Sequence, residues 1–147
     1  MTKTDLIERT IAVSRPIERV WDAITQAEHL ARWFGDSAEI DLRPGGAIKL
    51  GWSEHDATIT GVVGDVDPPR RFSFSWEAHT AADGSTWSTN VVFHLDEADG
   101  QTTVTVSETG FFELPDDIYE QRLRDNTEGW AHELDELRHM LEEASVA

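Results

Sequence analysis

Between Asp116 and Glu143 the chain carries an apolar stripe at helical spacing, and no other stretch is long and periodic enough to act as a spine. Tyr119, Leu123, Trp130, Leu134, Leu137 and Leu141 recur at intervals of three, four and seven, the pattern by which a helix turns one face to a core. Pro115 marks the start. Asp116 and Asp117 lie near the positive end of the helix dipole, and Asp117 with Glu120 predicts a capping box. The stripe has one interruption: where large side chains belong between Leu123 and Trp130, the chain has Asn126 and Thr127, with Gly129 after them. A helix packed tightly at its C-terminal end and thin in its N-terminal half leaves room under that half. The spacing therefore predicts a cavity against residues 119–130.

Upstream the period changes from helical to alternating. Ile7, Arg9, Ile11 and Val13 share one face of a strand over 5–13, so a cation stands in an apolar row. Ser14 and Pro16 open a short helix bearing Ile17, Val20, Trp21 and Ile24. Thr25 and Glu28 predict a capping box for a second helix, which presents Leu30, Trp33 and Phe34 before Gly35 stops it. From Ser37 onward, turn signals at Pro44-Gly45-Gly46, Asp67-Pro68-Pro69, Asp83-Gly84 and Asp99-Gly100 separate strands over 38–42, 46–52, 57–66, 70–77, 86–96 and 101–109. The order is one strand, two short helices, six strands and one long helix. Layer logic makes this an α+β fold, a curved seven-stranded antiparallel sheet closed on the C-terminal helix, with residues 1–147 as one domain.

Charge narrows the function. The formal net charge of -17 repels phosphate backbones and anionic surfaces, so nucleic acid is not an expected partner. The first residues hold no apolar run that would read as a signal peptide, and no stretch is long enough to span a bilayer, so no membrane insertion is expected. The absence of Cys excludes thiolate chemistry and fits a cytoplasmic setting. The six His are scattered without metal-ligand spacing, no Gly-rich loop opens a helix, and no Ser sits in a nucleophile elbow. Neither a metal, a cofactor nor a catalytic residue is expected.

The remaining candidates line a cavity. Trp33, Phe34, Trp76, Trp87, Phe93 and Trp130 are large, rigid side chains suited to the wall of an apolar site, and Tyr119, Leu123, Asn126 and Thr127 face it from the long helix. Arg9 and Glu108 are the sharpest pair. Arg9 is in phase with Ile7 and Ile11, Glu108 with Val104 and Val106, and a buried ion pair of that kind suggests a polar anchor for a ligand.

Over nearly its whole length the chain resembles the SRPBCC superfamily of START-like, birch-pollen-allergen-like helix-grip proteins, in the branch named after the activator of the ninety-kilodalton heat-shock chaperone ATPase. The resemblance is carried by Val20-Trp21-Asp22-Ala23 with Thr25, Trp33-Phe34, Arg43-Pro44-Gly45-Gly46, Asp67-Pro68-Pro69-Arg70 leading into Phe72–Trp76, Gly110-Phe111 and Gly129-Trp130. It implies a small apolar or amphipathic ligand held between the sheet and the long helix. Two alternatives come with it: a cyclase- or isomerase-like enzyme using Arg9 and Glu108, and a co-chaperone-like interaction module with a chaperone partner. Oligomeric state is left open.

Overall fold

Alternation along each strand becomes a set of rows across the sheet, and the rows place the site. In the computed structural model, which describes residues 6–143, the chain runs β1 (Leu6–Val13), α1 (Ile17–Thr25), α2 (Ala27–Trp33), β2 (Ser37–Ile40), β3 (Ala47–Trp52), β4 (Ala57–Asp67), β5 (Arg71–Thr80), β6 (Thr86–Ala98), β7 (Gln101–Thr109) and α3 (Asp116–Glu143). The expectations for residues 1–5, including the strand start at Asp5, lie outside the described residues. All seven strands are antiparallel in one sheet of order β1-β7-β6-β5-β4-β3-β2. This is the α+β helix-grip architecture: the meander brings its last strand back beside its first, and α3 lies against the inner face.

Directly opposed residues share a face, so pairing can be followed from strand to strand. One row reads Val66, Phe72, Phe93, Val106, Arg9, and the next reads Val63, Phe74, Val91, Glu108, Ile7. Every member of the second row is buried, and all but Glu108 are apolar. In α3 the buried positions are Tyr119, Trp130, Leu134, Leu137 and Leu141, while Leu123, Asn126 and Thr127 are only half-buried. The thinning expected in the N-terminal half is therefore present.

The other end of α3 is closed. Leu134, Leu137 and Leu141 join the core, and Arg15 supplies donors to the last helical carbonyls, Nε to Leu141 at 2.9 Å and Nη2 to Glu142 at 2.7 Å. A cation at the negative end of the dipole that also satisfies open carbonyls is a favourable C-terminal arrangement. The Ser14 N–H donates to the Glu142 side chain and the Thr102 hydroxyl to the Arg15 carbonyl, so one loop ties the helix end to β1 and β7.

Both predicted capping boxes are absent. The Thr25 hydroxyl donates to the Trp21 carbonyl at 2.7 Å, one turn back in α1, and the residue preceding α2 is Gln26, with no side-chain cap. α3 begins at Asp116, with the Pro115 carbonyl accepting from Ile118 and Tyr119, so Asp117 is already inside the first turn. β5 runs past the expected end at residue 77 because a bulge between Glu77 and His79 absorbs the irregularity and sets His79 opposite Trp87. Among the described residues no helix is long and apolar enough to cross a membrane.

Candidate functional site

Under the thin half of α3 lies a cleft of about 750 Å³, open to solvent on one side. Its floor is aromatic. Phe34 comes from the end of α2, Trp52 from the end of β3, Trp76 from β5 and Trp130 from α3. Their ring centroids are close together: 5.5 Å for Phe34–Trp52, 5.7 Å for Phe34–Trp76, 5.3 Å for Phe34–Trp130 and 5.8 Å for Trp76–Trp130. Gly35 makes this assembly possible at the α2–β2 junction. Its φ of 83° is a left-handed value, and a Cβ there would stand 2.4 Å from the Gly51 carbonyl oxygen, so only glycine fits.

Beneath the floor sits Glu108, with no exposed surface. Its Oε1 accepts from Trp130 Nε1 at 2.8 Å and from Asn126 Nδ2 at 3.1 Å, and its Oε2 accepts from Trp76 Nε1 and Asn126 Nδ2, each at 3.0 Å. The Thr89 hydroxyl also donates to Oε2 while accepting a share of the Trp76 N–H. Burying a carboxyl this deeply is costly unless its lone pairs are met. Here donors from β5, β6 and two positions of α3 meet them. The carboxyl is thus a polar pin that fastens the middle of α3 to the sheet where apolar contact is sparse.

Arg9 is not part of this unit. Cross-strand pairing puts Ile7 opposite Glu108 and Arg9 opposite Val106, and the Arg9 side chain is exposed. β1 is an edge strand, so a long cation in its inward phase reaches water past the rim. Phase identified the face but not the row or the edge.

Of the other candidates, Phe34, Trp76, Asn126 and Trp130 line the cleft. Trp33 and Phe93 are buried in the core: Trp33 donates its indole N–H to the Ala23 carbonyl and stacks on Phe34, and Phe93 meets Trp33 and Trp130 edge-on. Tyr119 is buried, Leu123 packs against the core, and the Thr127 hydroxyl turns back to the Leu123 carbonyl at 2.6 Å. Trp87 rests on His79, 5.5 Å between rings, beside the cleft.

Apart from Asn126 and Gly129, the sequence reading missed the polar wall. Arg122, Asp125, Asn126, Gly129 and Glu133 form a second face of α3, displaced from the apolar stripe, and Glu54, Glu77, His79 and His132 complete the rim. A Cβ at Gly129 would meet nothing within 4 Å, so the space over that residue belongs to the cleft. Arg122 Nε is enclosed yet has no hydrogen-bond partner. Burial pushes the Glu133 carboxyl above its ordinary value, against the pull of His132 and of hydrogen bonds from the Trp52 side chain and the Gly35 backbone, while Glu136 adds to the rise. The available signal was Gly129 itself, a residue without a side chain at the centre of a long helix.

Known proteins share this fold. DynU16, a protein of the dynemicin biosynthetic locus, superposes with a TM-score of 0.78 at 22% identity over 95% of this chain; the chain spans about half (48%) of DynU16. CalU16 from Micromonospora echinospora gives a TM-score of 0.68 at 26% identity over 90% of this chain and 73% of that one. The Aha1 dimer from Colwellia psychrerythraea gives 0.76 at 18% identity, over 94% of this chain and 96% of that one. No curated protein matches the sequence. Residues 14–142 match the model of the Activator of Hsp90 ATPase homolog 1-like protein family, and the chain belongs to that family, in the SRPBCC superfamily.

Proposed function

We propose that this protein binds a small amphipathic molecule in the cleft between the ends of β3–β5 and the face of α3 that carries Arg122, Asn126 and Gly129. The observation behind this reading is the open cleft of about 750 Å³ with four aromatic rings as its floor and charged groups at its rim. Ligand sites are of roughly this size, 300–1,000 Å³, with apolar walls and a few polar groups that set orientation. The proposed setting is cytoplasmic.

Two alternatives have less behind them. The cyclase or isomerase reading relied on Arg9 beside Glu108, and the exposed Arg9 leaves that pair without its cation. The chaperone-partner reading has the family and the fold likeness to Aha1 in its favour, without a surface feature that selects it.

Trp52, Trp76 and Trp130 act as reporters. Titration with phenylbutanol should change tryptophan fluorescence saturably, and Gly129→Leu, whose Cβ enters open space, should remove the response while the fold survives. A linear, unsaturable response, or one that Gly129→Leu leaves unchanged, would exclude this cleft. Native mass spectrometry of the purified chain would then identify any molecule it carries.

A further inference from the structure

We propose that the occupant of the cleft is an organic cation, an amphipathic amine or ammonium whose apolar body lies on the aromatic floor and whose charged head meets the rim. This rests on the ligand-binding reading above and adds the sign of the ligand's charge.

Three features of the cleft agree on that sign. The first is where its donors go. The indole N–H groups of Trp76 and Trp130 and the amide of Asn126 are the neutral donors an anion would seek, and all three are turned to Glu108 in the buried layer. With those donors engaged below, none of the three is left for an anion, and an aromatic surface without free N–H edges favours a cation over an anion. The second is the lining. Glu54, Glu77, Asp125 and Glu133 stand against Arg122, four acids to one base, or a net -3 with His79 and His132 neutral. These carboxyls come from three separate parts of the chain, the turn after β3, strand β5 and helix α3, so they converge on one opening instead of decorating one solvated helix face. The third is the background. The whole chain is at -17, so the net charge outside the cleft has the same sign, and a concave low-dielectric wall concentrates the field.

Glu133 fits the same picture. Its carboxyl is held above its ordinary value mainly by burial, so a cation set beside it would stabilise its charged form. The groups facing it include His132 and Glu136 on its own helix, Trp52 of β3 and Gly35 after α2. Arg122 is the one feature that argues the other way, because its unpartnered Nε could take an anion.

Three probes with the same apolar body decide between these forces. Phenylbutylamine, phenylbutanol and phenylbutyrate are cationic, neutral and anionic near neutral pH, and each is titrated by calorimetry into the intact chain at low salt. The expected order is amine, alcohol, acid, with the amine about tenfold tighter than the alcohol. That preference should shrink as salt is raised. Glu77→Gln with Asp125→Asn should bring the amine to within about threefold of the alcohol. Equal affinities for amine and alcohol, or tightest binding of phenylbutyrate through Arg122, would overturn the inference and leave the ligand-binding reading standing. Binding of none of the three would overturn both.

Discussion

The two ends of α3 hold to the sheet by different physics. At the C-terminal end Leu134, Leu137 and Leu141 are buried, and Arg15 closes the helix terminus from the β1–α1 loop. In the N-terminal half the face from Arg122 to Glu133 looks into a cleft, and attachment is concentrated in the donors that converge on Glu108. Apolar packing tolerates no gap, because each unfilled methylene forfeits contacts and stability. A polar pin transmits fixation through a few directed bonds and leaves the volume beside it free. The difference shows how a small domain can keep a cleft next to its core: the helix is anchored by packing on one side of the opening and by hydrogen bonds beneath it.

The sharpest way to break that contrast is Glu108→Leu. It strands the Trp130 N–H and the Asn126 amide and leaves the Trp76 N–H only the Thr89 hydroxyl, and the loss should be about 3–5 kcal/mol by urea unfolding, comparable with emptying the apolar end by Leu137→Ala. A loss below about 1 kcal/mol would mean that the carboxyl is not the pin.

Gly129→Ala acts in the opposite direction. The added methyl meets nothing within 4 Å, so helix propensity alone should raise stability by about 1 kcal/mol. A destabilised variant would show that the space over the helix is already filled.

Glu133→Gln sharpens the electrostatic side of the comparison. The folded-state value of Glu133 is raised, so the native protein holds this proton more tightly than the unfolded chain does. The resulting stability is fully present below the unfolded value and is lost as pH rises through the folded one. At neutral pH the variant should therefore melt higher than the parent, and the gain should vanish in acid below the ordinary carboxylate value. A gain that grows on acidification would reverse the sign assigned here.

The smallest effect belongs to Arg9→Met at the exposed edge. It should stay within about 0.5 kcal/mol and add to Glu108→Leu without coupling. Coupling above that level would restore contact between the two residues.

These cases also show what the sequence could disclose. Strand alternation and turn chemistry marked all seven strands, and the apolar stripe marked α3, because each depends on a local period. Glu108 was correctly assigned to the inner face for the same reason. Its partner was misassigned because pairing register and edge position are properties of the assembled sheet, and they put Ile7 where Arg9 was expected. The cleft wall escaped for a related reason: Arg122, Asp125 and Glu133 have the composition of a solvated helix face, and only the opening beneath α3 makes them site residues. Thr25 satisfies its own helix instead of capping the next, a choice between two local bonds that spacing cannot decide.

The most direct measurement of the central claim is the indole N–H spectrum of the protein, assigned by substitution and followed as phenylbutylamine is added. The account predicts saturable shifts of the Trp52, Trp76 and Trp130 signals, which belong to the cleft, with Trp21, packed edge-on against Phe72 in the core, unmoved. Shifts led by Trp21, or an unchanged spectrum for the three cleft residues at saturating amine, would contradict it.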